Sequence, residues 1–529
     1  MRSLIVLSSF AFLLSSCSNP GNQAASSTDR PLDGKVEEIL GRIHEPVIPG
    51  NTIDLAEFSG HSPDQGGSHD FYEDIRRAID TLSARGGGRL VFSHTEGPDF
   101  WIRPTETYRI RGPIQLKSNI ELRLHTNIRL FFEFDPPRYL PDGQPVLRRY
   151  EGTTLYSFSP LINAVNAENV AITSVGEHGA LPVIDGDGEK WQKWSYGGDL
   201  RVQESGRTPA YKAIRSEFNN ADLPIAERIA MDTGYHFLRP DLMSFFHSRN
   251  ILVEGLRLEQ SPFWVVHPVF CDNMIMRDVI FDCQIINNDG IDIESSANVL
   301  VEHVIFDNYD DNVVIKSGRD REGREGALVA GTLLDDLNSP YVTEGRITAP
   351  TQNVVVRDCV FKGHYAFCVG SEASGGVRNI HVMDCWGPME VAKGIFFKSG
   401  RSRGGLVEDV YIRNLRFNEV EKEAISIVPR YDNDTTSAYP PTFRNIQIQN
   451  VTVNQAGQGL LLFGWPDAPV LGVELEDVFI ETVSGEGGND KLWLNQVKGI
   501  KLERVNIEGE DFSGRYSQQD SASLPPRRG

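Results

Sequence analysis

The chain has 529 residues, 40% of them hydrophobic, with 49 glycines and a formal net charge of −21. That apolar content is enough for a packed core and excludes a disordered chain, while the acidic excess argues against a nucleic-acid partner, which calls for clustered Lys and Arg. Length alone does not force two domains, because in a solenoid each repeat needs only its neighbours to bury a core.

In chain order, Arg2 precedes an apolar run from Leu4 to Leu14 that ends in Ser15-Ser16-Cys17. A charged start, a short apolar stretch and small residues before a cysteine make an export signal, with Cys17 placed to become a lipid anchor. We read residues 1–17 as this signal, 18–40 as a flexible tether, 41–510 as one folded domain and 511–529 as a disordered tail. No later stretch approaches the roughly 20 apolar residues of a membrane span, so the expected product is an exported monomer on a periplasmic or cell-surface face, touching the membrane only through its anchor. Asp70 to Ser83 carries Ile75, Ile79 and Leu82 at helical spacing and predicts a short helix capping the coil, and Gly86-Gly-Gly-Arg-Leu-Val-Phe92 reads as the first strand. Two insertions, near 186–245 and 319–350, are candidate cleft walls. After Cys17 come Cys271, Cys283, Cys359, Cys368 and Cys385, an odd number without metal-type spacing. Buried free thiols are expected, with a Cys271–Cys283 bridge as the alternative, and no metal or cofactor is implied.

From about residue 160 one phrase recurs: Asn250-Ile-Leu-Val-Glu, Asn273-Met-Ile-Met-Arg, Asn298-Val-Leu-Val-Glu, Asn353-Val-Val-Val-Arg, Asn379-Ile-His-Val-Met. Neighbouring starts lie 23, 25 and 26 residues apart, apart from one gap that an inserted loop accounts for. Period-two alternation with β-branched residues and Asn or Gly turns marks strands, and a repeat of this length marks coil turns. The fold class is all-β, a right-handed parallel β-helix. A second phrase alternates with the first: Gly290-Ile-Asp-Ile-Glu, Asn312-Val-Val-Ile-Lys, Ala366-Phe-Cys-Val-Gly, Gly394-Ile-Phe-Phe-Lys and Ala424-Ile-Ser-Ile-Val. Its second and fourth positions are apolar throughout and must face the core, which turns Asp292, Glu294, Lys316, Phe396 and Lys398 outward on strands about 4.8 Å apart.

Asp289 and the pair Asp310-Asp311 each lead into a strand of this outward sheet, 21 residues apart. One coil turn therefore stacks three carboxylates at one sheet edge. Carboxylates so placed can flank a glycosidic bond, and their mutual repulsion keeps one protonated, giving an acid and a base from identical side chains. An isolated Asp-Gly in a turn is ordinarily structural; three at matched register are not. His364 falls on the next rung once the insertion is removed, in place to support an aspartate or a water, and Lys398 follows one strand later as a cation for a sugar carboxylate.

Asn288-Asp-Gly-Ile-Asp292, Asp310-Asp-Asn-Val-Val-Ile-Lys-Ser-Gly318, Gly363-His364 with Val369-Gly-Ser371, and Gly394-Ile-Phe-Phe-Lys398 together resemble glycoside hydrolase family 28, the polygalacturonases, over about residues 70–505. The resemblance implies an inverting hydrolase of pectic polysaccharide or oligosaccharide, with Asp310 as general acid, Asp289 and Asp311 activating water, His364 in support and Lys398 binding substrate. Tyr431 loosely matches a substrate-binding tyrosine of the family, and Asp292, Lys316 and Arg401 complete the expected sugar contacts. The chain departs where the family usually has Arg-Ile-Lys, for it has Phe396-Phe397-Lys398. Loss of that bidentate clamp raises rhamnogalacturonan or another substituted pectin as substrate, with Phe396 stacking on a less polar sugar face and Arg401 or Arg403 restoring charge. The insertions favour exo action. A β-helical lyase or epimerase and a non-catalytic oligosaccharide-binding lipoprotein remain alternatives.

Overall fold

The computed structural model describes residues 29–516 apart from 64–67, 94–103, 105, 177–179, 196–213, 234–235, 336–338, 432–433 and 486–490. The signal, Cys17 and the start of the tether lie outside the described residues.

The recurrent phrases become rungs of one long parallel coil. The ladder that matters here runs through β1 (Val266–Val269), β2 (Ile291–Glu294), β3 (Ile305–Lys316), β4 (Val360–Val369), β5 (Val377–Lys398) and β6 (Leu406–Val428). Ile291, Val313, Phe367, Ile395 and Ile425 stand in successive register, as do Ile293, Ile315, Val369, Phe397 and Ile427, and all ten are buried in the main core. The expected inward face is therefore the observed one.

The asparagines that open the first phrase have a physical reason. Asn169, Asn250, Asn273, Asn298, Asn353 and Asn379 all take left-handed backbone, φ 53° to 61°, which asparagine tolerates better than other residues with a side chain. Its amide is both donor and acceptor, so Nδ2 of Asn250, Asn273 and Asn379 each donates to Oδ1 of the asparagine one rung earlier at 2.7–2.9 Å.

Both chain ends differ from expectation. Residues 29–40, assigned to the tether, include a helix, Asp29–Leu40, whose Val36 and Ile39 pack on Leu300, Val355 and Met383 of the solenoid wall. Ile43 and Ile48 continue over Ala171, Leu252 and Ile275, and the His44 amide donates to Asn273 Oδ1 at 3.0 Å. This segment is a strap along the coil. Part of the tail assigned to disorder, Asp511 and Gly514–Tyr516, pairs antiparallel with Ile500–Ile507 and closes the last rung. The capping helix spans Tyr72–Ala84 with Ile75, Ile79 and Leu82 in the core, and Thr52–Asp54 precedes Gly88–Phe92 as the first paired strand. Cys271, Cys283, Cys359, Cys368 and Cys385 are free and buried, and no Cys271–Cys283 bridge forms.

A second layer lies over the outward face of β2. A hairpin, Val146–Tyr150 with Thr153–Ser157, interlocks with residues of both insertions. Arg149 donates to Glu294 at 3.2 Å and to Glu322 at 3.0 Å; Glu322 also accepts from Arg228 at 2.5 Å, and Asn219 donates to the Arg319 carbonyl at 2.9 Å. Arg149, Arg228, Glu294 and Glu322 are all at most 1% exposed, so their charges balance inside the layer.

Candidate active site

Three local devices aim the carboxylates. The turn before β2 is held by Asn288, whose Nδ2 donates to the carbonyls of Ser261 (2.9 Å) and Phe263 (2.7 Å), and by Arg239, which donates to the Ile286 carbonyl at 2.8 Å and Asn287 Oδ1 at 2.7 Å. Asp289 follows with its backbone locked by Val265, whose amide donates to the Asp289 carbonyl at 2.9 Å. Gly290 is required next, since a Cβ there would lie 2.4 Å from the Asn312 carbonyl. The second device is a β-bulge: Asn308 pairs with Gly363 and Asp311 with Tyr365, so Tyr309 and Asp310 together face His364 alone. A bulge re-aims side chains, and this one swings Asp310 to the rim while Asp311 stays in register. Gly363 makes it possible, with φ 83° and the Asn308 carbonyl 2.1 Å from where a Cβ would stand.

The third device is a pair of lysines set between the carboxylates. Lys316 Nζ lies 3.3 Å from Asp289 Oδ2, 2.8 Å from Asp292 Oδ1 and 3.7 Å from Glu372 Oε2, and 3.5 Å above the Trp264 ring. Lys398 Nζ lies 2.6 and 3.0 Å from the two oxygens of Asp311. Burial opposes both ammonium charges, yet the surrounding carboxylates hold each lysine well above its ordinary range. Asp289, Asp292 and Asp311 are at most 4% exposed, whereas the Asp310 and His364 side chains keep 25% and 36% of their surface, with His364 Nδ1 3.7 Å from Asp310 Oδ1. Three expected aspartates, His364 and Lys398 thus meet in one patch outside the apolar core. Tyr431 joins them, its ring 5.4 Å from Lys398 Nζ.

The environments of the acids differ. Burial, then the neighbouring Asp292 charge, pushes Asp289 well above the carboxylate range, and burial raises Asp292 to about 7 against the pull of Lys316. For Asp310 burial is outweighed by His364 and Lys398, which hold it below its ordinary value. One patch can therefore hold a proton on one acid while another is ionised, as acid–base chemistry on a glycoside requires. Among the described residues no cluster of His, Cys, Asp or Glu is arranged to hold a metal ion; the two ammonium groups sit between the carboxylates instead.

Some expected contacts are corrected. Asp292 and Lys316 are buried and paired with one another, so the pair sets charge within the site. Arg401 turns away to Asp467, with two contacts at 2.8 Å; the arginine that turns in is Arg403, which pairs with Glu372 beneath Tyr431. Phe396 is 4% exposed, covered by Tyr365 at a ring separation of 5.5 Å and by the Lys393 ammonium at 4.0 Å, and offers no open stacking face. Glu372 was not foreseen. Burial opposes its charge, but Arg403, Lys316 and Arg319 hold it well below the ordinary carboxylate range, and only its place after Val369-Gly-Ser371 hinted at it.

Comparison with known proteins agrees with this geometry. A family model described as glycosyl hydrolases family 28 matches residues 236–461, the stretch that carries all of these groups but the hairpin and the first insertion. The crystal structure of a hyperthermoactive exopolygalacturonase from Thermotoga maritima is 32% identical, with a TM-score of 0.75, covering 92% of this chain and 100% of that one. A probable polygalacturonase of Vitis vinifera is 23% identical over 439 residues, 81% of this chain and 74% of the relative. A polygalacturonase from Erwinia carotovora shares the fold at 20% identity and a TM-score of 0.57, over 87% and 98% of the two chains. The chain therefore belongs to glycosyl hydrolase family 28, and is a glycoside hydrolase built on a right-handed parallel β-helix.

Proposed function

We propose that the protein removes galacturonate-containing units from one end of a pectic chain, with inversion. Asp310 donates the proton to the leaving oxygen, Asp289 and Asp311 activate the attacking water, His364 supports Asp310, and Lys398 with Tyr431 lines the bound sugar. The observation that carries this reading is the bulge, which sets Asp310 apart at the rim while Asp289 and Asp311 lie deeper beside the two lysines. In the free protein Asp310 is held towards its ionised form and Asp289 towards its protonated one, the reverse of these roles; a uronate carboxylate arriving beside Asp310 raises its affinity for a proton, so the working distribution of protons belongs to the complex. Exo action is supported by the second layer, whose Arg149 and Glu322 cover β2 at Glu294. The likeness to an exopolygalacturonase over the whole chain points the same way.

The buried Phe396 and the outward Arg401 leave the carboxylate clamp unrestored on the β5 side, which favours a substituted or rhamnose-containing pectin over plain homogalacturonan there. The enzyme acts on an exported face, as a monomer tethered through lipidated Cys17. Product profiling on homogalacturonan, rhamnogalacturonan and xylogalacturonan tests the substrate: saturated mono- or disaccharides should appear first, from at least one of the three. An unsaturated, ultraviolet-absorbing product would mean a lyase, and cleavage of a neutral glycan alone would end the substrate assignment. In the same cultures Cys17→Ala should move activity from the membrane to the soluble fraction; no movement would remove the anchor.

A further inference from the structure

Asp311 is gripped by more than its lysine. Besides the two contacts from Lys398, its Oδ1 lies 3.2 Å from Sγ of Cys368. Cys368 occupies the outward third position of the second phrase, near the end of β4, between Val314 of β3 and Phe396 of β5, and is fully buried. The four other thiols all donate to backbone carbonyls: Cys271 to Phe245, Cys283 to Leu258, Cys359 to Arg357 and Cys385 to Met383. Cys368 alone of the five is directed at a carboxylate.

We propose that Cys368 is a positioning residue for hydrolysis, its thiol donating to Asp311 Oδ1 so that, with Lys398, it fixes the rotation of that carboxylate and leaves an oxygen lone pair directed at the water. The proposal rests on the reading of Asp311 as one of the water-activating pair. An ammonium on a four-carbon stem is a mobile donor and by itself lets the carboxyl plane turn. A second donor rooted in a rigid strand removes that freedom, and positioning of this kind is a large part of enzymatic rate.

The surroundings keep the thiol in the donor form. Burial, then the Asp311 charge, drives Cys368 well above the ordinary thiol range, so it stays S–H at neutral pH. Val314, Phe396, Tyr365 and Val428 pack around it. The ionisable groups facing Asp311 are Lys398 from β5, Asp310 and His364 at the bulge, Asp289 and Asp292 from the turn and β2, Lys316 from β3, and Tyr365 and Tyr431 on the open side. Removal of Cys368 changes none of these charges. A rate loss in the variant therefore reports the lost hydrogen bond.

Three variants, Cys368→Ala, Cys368→Ser and Asp311→Asn, are compared by kcat and KM separately and by thermal melting. Cys368→Ala should lose about fivefold in kcat, the worth of roughly one hydrogen bond, with KM little changed, because the thiol acts on the attack of water and touches no sugar. Cys368→Ser, still a donor, should stay within about twofold of the parent in both. An alanine variant with unchanged kcat overturns the proposal, and so does a loss shared equally by alanine and serine that follows melting temperature. Asp311→Asn separates the two claims: if it retains turnover, the water-activating role of Asp311 falls and the proposal with it. If it is inactive while Cys368→Ala is normal, only the role of Cys368 fails.

Discussion

Two outward columns of the same coil are both buried, in opposite ways. On the strap side Ala171, Leu252, Ile275, Leu300 and Val355 stand in register and are covered by Val36, Ile39, Ile43 and Ile48. The column turns polar at His381, Tyr411, Gln447, Glu474 and Lys501 as the strap ends. On the site side the equivalent outward positions are Asp292, Val314, Cys368, Phe396 and Ser426, flanked by Glu294, Lys316 and Lys398. Covering apolar side chains is favourable at roughly 1.5–3 kcal/mol for a large one. A buried charge instead demands a partner at each step, or costs several kcal/mol. The strap column therefore supplies stability to a rung whose other edge holds a charge cluster that stability alone would not select.

The largest expected effect lies in the cluster. Asp310→Asn should lower kcat by about 10²- to 10⁴-fold, the usual worth of a general acid, with an unchanged melting temperature because Asp310 stands at the rim and anchors no packing. Turnover measured by reducing-sugar release decides it: retained activity would take the general-acid role away from Asp310 and dissolve the contrast between the columns. A smaller effect of opposite kind is expected in the strap. Ile39→Ala should cost about 2 kcal/mol of stability, since Ile39 is 2% exposed against Leu300 and Val355, and leave kcat/KM of the folded enzyme alone. Urea midpoints together with rates would show it; a rate loss at constant stability would tie the strap to the site.

What could be read in advance followed from periodicity. Alternation alone placed Ile291 and Ile293 inward, and one-turn spacing brought Asp289 beside Asp311. The strap escaped because its apolar residues, Val36, Ile39, Leu40 and Ile43, follow a tract of Ser, Asn and Gln and have no repeat to mark them. The choice between Arg401 and Arg403 escaped because both lie in the turn after β5, and its path decides which side chain points in. Least legible was the layer over β2. Its contacts join Arg149, Arg228, Glu294 and Glu322, which no local pattern relates, so charge balance between insertions is visible only in three dimensions.

The smallest expected effect concerns the charge column itself. Asp292 keeps its proton up to about 7 in the folded protein, whereas the unfolded chain releases it near the ordinary aspartate value of about 3.9. Between those values the native state holds more protons than the unfolded one, so stability falls as pH rises through the window and levels off above it. Asn copies the shape of the protonated acid and cannot ionise. In Asp292→Asn the decline of melting temperature between about pH 4 and 7 should be shallower than in the parent, by the share that Asp292 contributes. Asp289, raised by the same burial, keeps part of the slope, and Asp185, raised to about 6 on a distant strand, keeps a further part. Identical slopes in parent and variant would mean that Lys316 holds Asp292 ionised throughout, and the proton of the cluster would then rest with Asp289.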